Sequence, residues 1–205
     1  PWGAAINFDG RDSTPVRDFF IENAQMWLRD YHFDGLRLDA VHAIVDTSAM
    51  HILEELRART PGDRFLVAES DLNDPRLVNP VEAGGYGLDA QWADDVHHAI
   101  HALLAAETRG YYRDFGSPEH LAKALRRAYV YAGDYSAHRR RRHGRAHALR
   151  GDKFVAYSQN HDQVGNRATG ERSAALMSAG RLRMAAALVL CGPFVPLLFM
   201  GEEWA

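Results

Sequence analysis

Three acidic residues each close an apolar run that reads as a β-strand: Asp39 in FDGLRLDAV, Glu69 in FLVAESD and Asp162 in FVAYSQNHDQVGN. In a parallel α/β barrel the C-terminal ends of the strands form one face, so carboxylates far apart in sequence converge there. Converging carboxylates suit acetal hydrolysis, in which one ionised group attacks the anomeric carbon and one protonated group supplies a proton to the departing oxygen. Arg37 precedes Asp39 by two residues, and strand alternation puts both on one face with Gly35, leaving Leu36 and Leu38 on the other. A planar, permanently charged guanidinium in that place orients a carboxylate. Taken singly, each residue also has a plainer reading. Arg and Asp two apart on a strand form structural ion pairs, a strand-end glutamate caps a loop, and Asn-His-Asp is a turn signal.

Asp94, Asp95, His97, His98 and His101 form a second polar group, at the start of a helix whose buried side is expected to carry Val96, Ile100, Leu103 and Leu104. Aspartates in a first turn complement the helix dipole, so simple capping competes with a role in binding. Histidines four apart on a helix can hold zinc, but companion ligands at zinc-site spacing are not evident, and no metal is expected. The run from Arg139 to Arg142, extended by His143 and Arg145, reads as a solvated basic loop. The net charge of −3 and the want of interleaved aromatics argue against a nucleic-acid surface. Trp2, Trp92 and Trp204 are candidates for stacking on sugar faces or for core packing.

The elements that must position these residues alternate along the chain, the sequence form of a parallel sheet covered by helices. A first helix is expected to be capped by Thr14, with Pro15 in its first turn and Val16, Phe19, Phe20, Trp27 and Leu28 as its apolar face. Strands follow at Phe33 to Asp39, Arg64 to Glu69, Gly87 to Trp92 and Phe154 to Asp162, and a final apolar strand lies in VPLLFMG. Helices are expected from about Thr47 to Ala58, from Asp94, from Ser117 and Pro118, and from about Ala174 to Leu190. Five strands in 205 residues fall short of an eight-stranded α/β barrel, which usually takes about 250 residues.

With 46% hydrophobic and 25% charged residues the composition is that of a globular protein. No apolar run approaches the roughly 18 residues of a membrane span, so no membrane partner is expected. Neither a G-x-G-x-x-G nor a Walker-type sequence supports phosphate chemistry. The one cysteine, Cys191, sits in AAALVLCG and is expected to be a buried thiol; an internal disulfide is excluded and a reducing, cytoplasmic location favoured.

DGLRLDAVH, LVAES, QNHDQVGNR and LLFMGEEW, in this order, resemble the later sequence motifs of the α-amylase family of glycoside hydrolases. The resemblance covers almost the whole chain. PWGAAINFDG, HILEELR, AESDLNDPRLV and GYGLDAQWADDVHHAIHALL are most similar to the trehalose-releasing members. It implies a partial TIM (β/α)8 barrel covering about strands four to eight, as one incomplete catalytic domain over residues 1–205. The N-terminal strands, an early Asp-x-x-x-Asn-His type motif and the flanking β-domains would be missing. By the same resemblance Asp39 is the nucleophile, Glu69 the acid/base, and Asp162 the group that binds sugar hydroxyls and stabilises the oxocarbenium-like transition state. Arg37, His42, His161, Gln163 and Asn166 are implied to bind substrate, and Asp94, Asp95 and His98 to contact the departing trehalose. The implied substrate is a maltooligosyl chain joined to trehalose by an α-1,4 bond, and the reaction requires no cofactor. Branching or debranching of α-glucans, which uses the same carboxylates, stays open, as does a carbohydrate-binding remnant without turnover.

Overall fold

The computed structural model describes residues 4–204, and Trp2 lies outside them. The chain divides into two compact units, Pro1–Ser70 with Asp74–Gln91, and Asp71–Asn73 with Trp92–Ala205.

The first unit contains helix α1 (Thr14–Gln25), strand β1 (Gly35–Leu38), helix α2 (Ile52–Arg59) and strand β2 (Phe65–Ala68), and ends at Gln91 within strand β3 (Ala90–Trp92). β1 pairs with β2 and β2 with β3, all parallel, with Leu38 opposite Ala68 and Ala68 opposite Gln91. Gly35 marks the closest approach of β1 to β2: a Cβ there would stand 2.7 Å from the Phe65 carbonyl oxygen, so only glycine fits. Leu28, Leu53, Leu56, Leu66 and Leu88 are buried in this unit.

α1 departs from the expected pattern. Ser13 precedes its first turn, with no side-chain cap, and Thr14 is already helical. Ile21, Ala24 and Leu28 form the buried stripe, whereas Phe19, Phe20 and Trp27 are exposed. Small Ala24 admits the close approach that the bulky aromatics would prevent, and a π-helical turn at Met26–Asp30 changes the helical phase beyond Gln25. α2 starts at Ile52 rather than near Thr47. Asp46 takes up the preceding segment by accepting from the Ser48 N–H (2.9 Å) and the Ile52 N–H (2.6 Å). His51 Nδ1 caps the helix from the Leu53 N–H at 3.2 Å. Arg17, Ser48 and the Ile52 N–H hold the Asp46 carboxyl down at about 2 against the opposing effect of burial.

The second unit carries helices α3 (Asp94–Ala105) and α4 (Pro118–Arg127), an antiparallel pair β4 (Tyr135–Ser136) and β5 (Arg141–Arg142), and strand β6 (Phe154–Ala156). Helices α5 (His161–Gly165), α6 (Ser173–Leu176) and α7 (Ala179–Leu190) follow, then strand β7 (Val195–Pro196), parallel to β6 with Val155 opposite Val195. α3 packs against α4, α7 and β6, burying Val96, Ile100, Leu104, Phe154 and Val189. It is enclosed on nearly every side, so Asp95, His97, His98 and His101 lie inside the protein rather than on a solvated face. Ser117 caps α4 by accepting from the His120 N–H at 3.2 Å, as its place before Pro118 implies.

Three further expectations are corrected in this unit. The strand foreseen to run from Phe154 to Asp162 ends at Ala156, because Asn160 and Gln163 form a capping box that turns the chain into α5. The last long helix is two, separated at Met177 and Ser178, whose side chain caps α7. Cys191 is exposed: it is the residue after the last turn of α7 and stands off the stripe of Ala185 and Val189 that the core covers. The basic stretch is largely solvated as foreseen, with Arg140, Arg141, Arg142 and Arg145 exposed, and Arg139 and His143 are its anchored members. Arg139 Nη2 donates to Asp71 Oδ2 at 2.7 Å, and buried His143 contacts the Asp71 carbonyl oxygen through Nε2 at 2.8 Å. Among the described residues no helix is long and apolar enough to cross a membrane.

Candidate active site

In the first unit Asp39 and Glu69 stand one residue beyond the ends of neighbouring parallel strands β1 and β2. Strand alternation returns Arg37 to their side, and its guanidinium is shared: Nη1 donates to Asp39 Oδ1 at 2.7 Å and Nη2 lies 3.7 Å from Glu69 Oε2. The two carboxylates differ sharply in exposure. The Asp39 side chain is 75% exposed and that of Glu69 15%. One is open to an incoming ligand and the other is held by the protein.

The main chain completes this arrangement. Glu69 N–H donates to the Leu38 carbonyl (2.9 Å) and Val41 N–H to the Glu69 carbonyl (3.1 Å). Between them the Ala40 N–H donates to Glu69 Oε2 at 2.6 Å. Ala40 makes that contact from the left-handed region, with φ 43° and ψ 43°, a conformation that costs an L-residue about 1–2 kcal/mol. His42 lies in the 3-10 turn Val41–Ala43 that follows and is exposed.

In the second unit the tight loop after β6 carries Asp162. Asn160 Oδ1 accepts from the Asp162 N–H and Gln163 Oε1 from the Asn160 N–H, both at 2.8 Å, which fixes the first turn of α5. His161 Nε2 is 3.2 Å from Asp162 Oδ1, and both side chains are about half exposed. Trp92 is buried against the Tyr157 ring at 5.4 Å and His161 at 6.0 Å, so it forms a wall behind His161 rather than an open platform. Trp204 is largely exposed. Gln163 and Asn166 line a cavity of 420 Å³ together with Glu107, Arg109, Tyr111 and Arg167.

Asp94, Asp95 and His98 do not form a solvated trio. Asp94 accepts a hydrogen bond from the Tyr157 hydroxyl. Asp95 is 5% exposed, and its Oδ2 accepts from Asn73 Nδ2 (2.8 Å), Val130 N–H (2.7 Å) and Tyr131 N–H (3.1 Å). Burial pushes this carboxyl up although all three donors pull it down. Its place is that of an internal clamp on the chain at 130–131. His98 packs among Tyr111, Tyr112 and Phe115, with Nδ1 4.0 Å from Asp95 Oδ1, and burial, reinforced by Arg139, pushes its imidazole down to about 3. It is neutral at ordinary pH. Asp95 and His98, which the resemblance implies contact the departing sugar, are both buried and line a small pocket with Tyr111, Asp114, Phe115 and Arg139.

His97 is also fully buried and bridges the Ser158 carbonyl at 2.8 Å and the Tyr112 hydroxyl at 2.9 Å. His101 Nε2 meets Glu107 Oε2 at 2.7 Å, and Arg167 Nη1 donates to the same oxygen at 3.0 Å. Both nitrogens of His97 and Nε2 of His101 meet protein partners, whereas Nδ1 of His98 and of His101 are buried without a hydrogen bond. Among the described residues no group of three or more His, Cys, Asp or Glu side chains is placed to hold a metal. Sequence reading missed the Ala40 donor, the Glu107–Arg167 pair and the Asp71–Arg139 pair. Their partners are 29, 60 and 68 residues apart, and no local pattern marks them.

No protein-family model matches the chain. It is 52% identical over 206 residues to malto-oligosyltrehalose trehalohydrolase of Saccharolobus solfataricus, covering 100% of this chain and 37% of that protein. The namesake enzyme of Arthrobacter ramosus is 55% identical over 214 residues, covering 99% and 37%. The chain therefore spans a little over a third of the length of these relatives. A 1.4 Å crystal structure of a Salmonella typhimurium protein assigned as an α-amylase superposes with a TM-score of 0.89 at 40% identity, over 100% of this chain and 36% of the other. Along its full length the chain is thus homologous to one part of the malto-oligosyltrehalose trehalohydrolases, and its partial α/β-barrel fold is that of the α-amylase-type structure on which it superposes.

Proposed function

We propose that a full-length protein carrying this chain is a retaining glycoside hydrolase that cuts the α-1,4 bond between a maltooligosyl chain and trehalose. The observation that carries this reading is the shared guanidinium of Arg37, which places an exposed carboxylate and a protein-held one side by side at adjacent strand ends. In the reaction Asp39 attacks the anomeric carbon while the Glu69 acid gives its proton to the departing glycosidic oxygen, which leaves as a hydroxyl of trehalose. The Glu69 carboxylate then takes a proton from water as that water attacks the anomeric carbon and frees Asp39, so configuration is retained. Asp162 and His161 bind hydroxyls of the sugar being transferred. Gln163, Asn166 and His42 contribute further sugar contacts, and Asp94, Asp95 and His98 shape the trehalose side from behind.

More than 50% identity along the whole chain to trehalose-releasing enzymes sets this reading above glucan branching or debranching. The test is carbohydrate analysis after incubating such a protein with maltotriosyltrehalose and, separately, maltopentaose. Trehalose and maltotriose from the first, with the second largely spared, is the expected result. Glucan rearrangement without free trehalose would overturn the specificity, and full turnover by Asp39→Asn would overturn the nucleophile.

A further inference from the structure

The left-handed turn at Ala40 has a chemical use. In an extended strand successive N–H groups point to opposite sides, so a chain that ran straight on through residue 40 would not bring two consecutive donors to one neighbour. The turn does. Ala40 and Val41 present both N–H groups to Glu69, the first at Oε2 (2.6 Å) and the second at the backbone carbonyl (3.1 Å), while the Glu69 N–H is tied to Leu38 (2.9 Å). Only the Ala40 N–H reaches the carboxylate; the other two bonds fasten the main chain of Glu69 and so hold that one donor against Oε2. Arg37 Nη2 approaches the same carboxylate oxygen at 3.7 Å.

Resting on the reading of Glu69 as acid/base, we propose that the Ala40 main-chain N–H is a positioning donor that assigns the two Glu69 oxygens different duties. Oε2, faced by Ala40 and Arg37, stays unprotonated. Oε1 carries the proton that passes to the glycosidic oxygen as its bond to the anomeric carbon breaks and the bond to Asp39 forms, and Oε1 later takes the proton from water. A side-chain scan does not remove this group, because every amino acid except proline retains the N–H at position 40.

The test replaces that amide by an ester, with lactic acid incorporated at position 40 of a full-length protein carrying this chain. kcat/KM for release of trehalose from maltotriosyltrehalose is compared with kcat/KM for release of fluoride from α-maltotriosyl fluoride; each reports formation of the covalent intermediate and leaves out the later attack of water that the two substrates share, and fluoride departs without a proton from the enzyme. Losing one donor to a charged group should slow trehalose release by roughly 10- to 100-fold and fluoride release by less than about threefold. Ala40→Val, whose branched side chain disfavours the left-handed region, should show the same selective loss, and Ala40→Gly, which keeps both turn and donor, should not. Equal losses on both substrates, or none on either, would overturn the assignment. The underlying reading is judged separately: Glu69→Gln with undiminished trehalose release would refute it, whereas an inactive Glu69→Gln beside an unaffected ester would refute only the role of Ala40.

Discussion

The ends of β1 and β2 and the interior of α3 are both rich in charge, and they use it in opposite ways. At the strand ends Asp39 projects outward on a short, local scaffold, and Arg37 serves two carboxylates without being buried by them. Along α3, Asp95, His97 and His98 are enclosed: Asp95 accepts from the Val130 N–H, His97 meets the Ser158 carbonyl, and His98 lies in an aromatic box with Nδ1 buried and unbonded. A polar group left open on a rigid strand end is available for chemistry. A polar group satisfied inside the protein determines where other segments lie. The difference predicts which substitutions damage activity and which damage the fold.

The sharpest break should come at Asp39. Asp39→Asn should slow trehalose release by roughly 10³-fold or more, because it removes the nucleophile while keeping the side chain's shape. The thermal midpoint should hardly move, since the side chain is mostly exposed. A large loss of stability with modest loss of rate would assign Asp39 to the structural class and erase the contrast. Asp95→Ala should do the reverse. It strands three donors inside the protein, Asn73 Nδ2 and the N–H groups of Val130 and Tyr131, at a cost of about 3–5 kcal/mol in denaturant unfolding. Asp95→Asn keeps an acceptor and should cost less.

His98 sharpens the comparison through pH. Its imidazole lies at about 3 in the folded protein against an ordinary 6.5, so the unfolded chain binds the proton more readily. The stabilisation is present above about pH 6.5 and is lost as pH falls toward about 3. His98→Gln should flatten this acid limb in a series of thermal melts from pH 7 to pH 4. An unchanged limb would mean that His98 is solvated after all. Burial pushes His97 down too, in the same direction, so the limb should be reduced by His98→Gln rather than abolished.

These contrasts were unevenly legible in the sequence. Asp39, Arg37 and Glu69 could be placed because strand alternation and strand ends are local, and the parallel β1–β2 register then brings the two ends level. Asp95 could not, because an aspartate in the first turn of a helix looks alike whether it faces water or three donors 22 to 36 residues away. The strand through Asp162 was drawn too long because apolar content hid a capping box at Asn160 and Gln163 that was itself readable. Phe19 and Phe20 have the residue type of a helix core yet stand exposed on α1, since residue type shows what can be buried and only packing decides what is. The left-handed Ala40 left no mark at all, for alanine is not a turn residue and its conformation is imposed by Glu69, 29 positions on.

The smallest expected effect lies at Arg139, between the two classes. Its guanidinium is about a quarter exposed and bonds Asp71, whose own side chain is about a third exposed. A pair so placed is neither a free surface charge nor a sealed interior one. Arg139→Gln should cost about 0.2–1 kcal/mol, and 0.5 M salt should shrink the difference between parent and variant by screening the pair. The loss should stay small because His143 holds the Asp71 carbonyl independently, keeping the β4–β5 segment in place when the ion pair is gone. Removing both anchors in Arg139→Gln/His143→Ala should therefore cost more than the sum of the single variants, since either anchor alone restrains the same segment. Strict additivity in that double-mutant cycle would show that the two contacts act separately, and the hairpin would belong with the exposed charges after all.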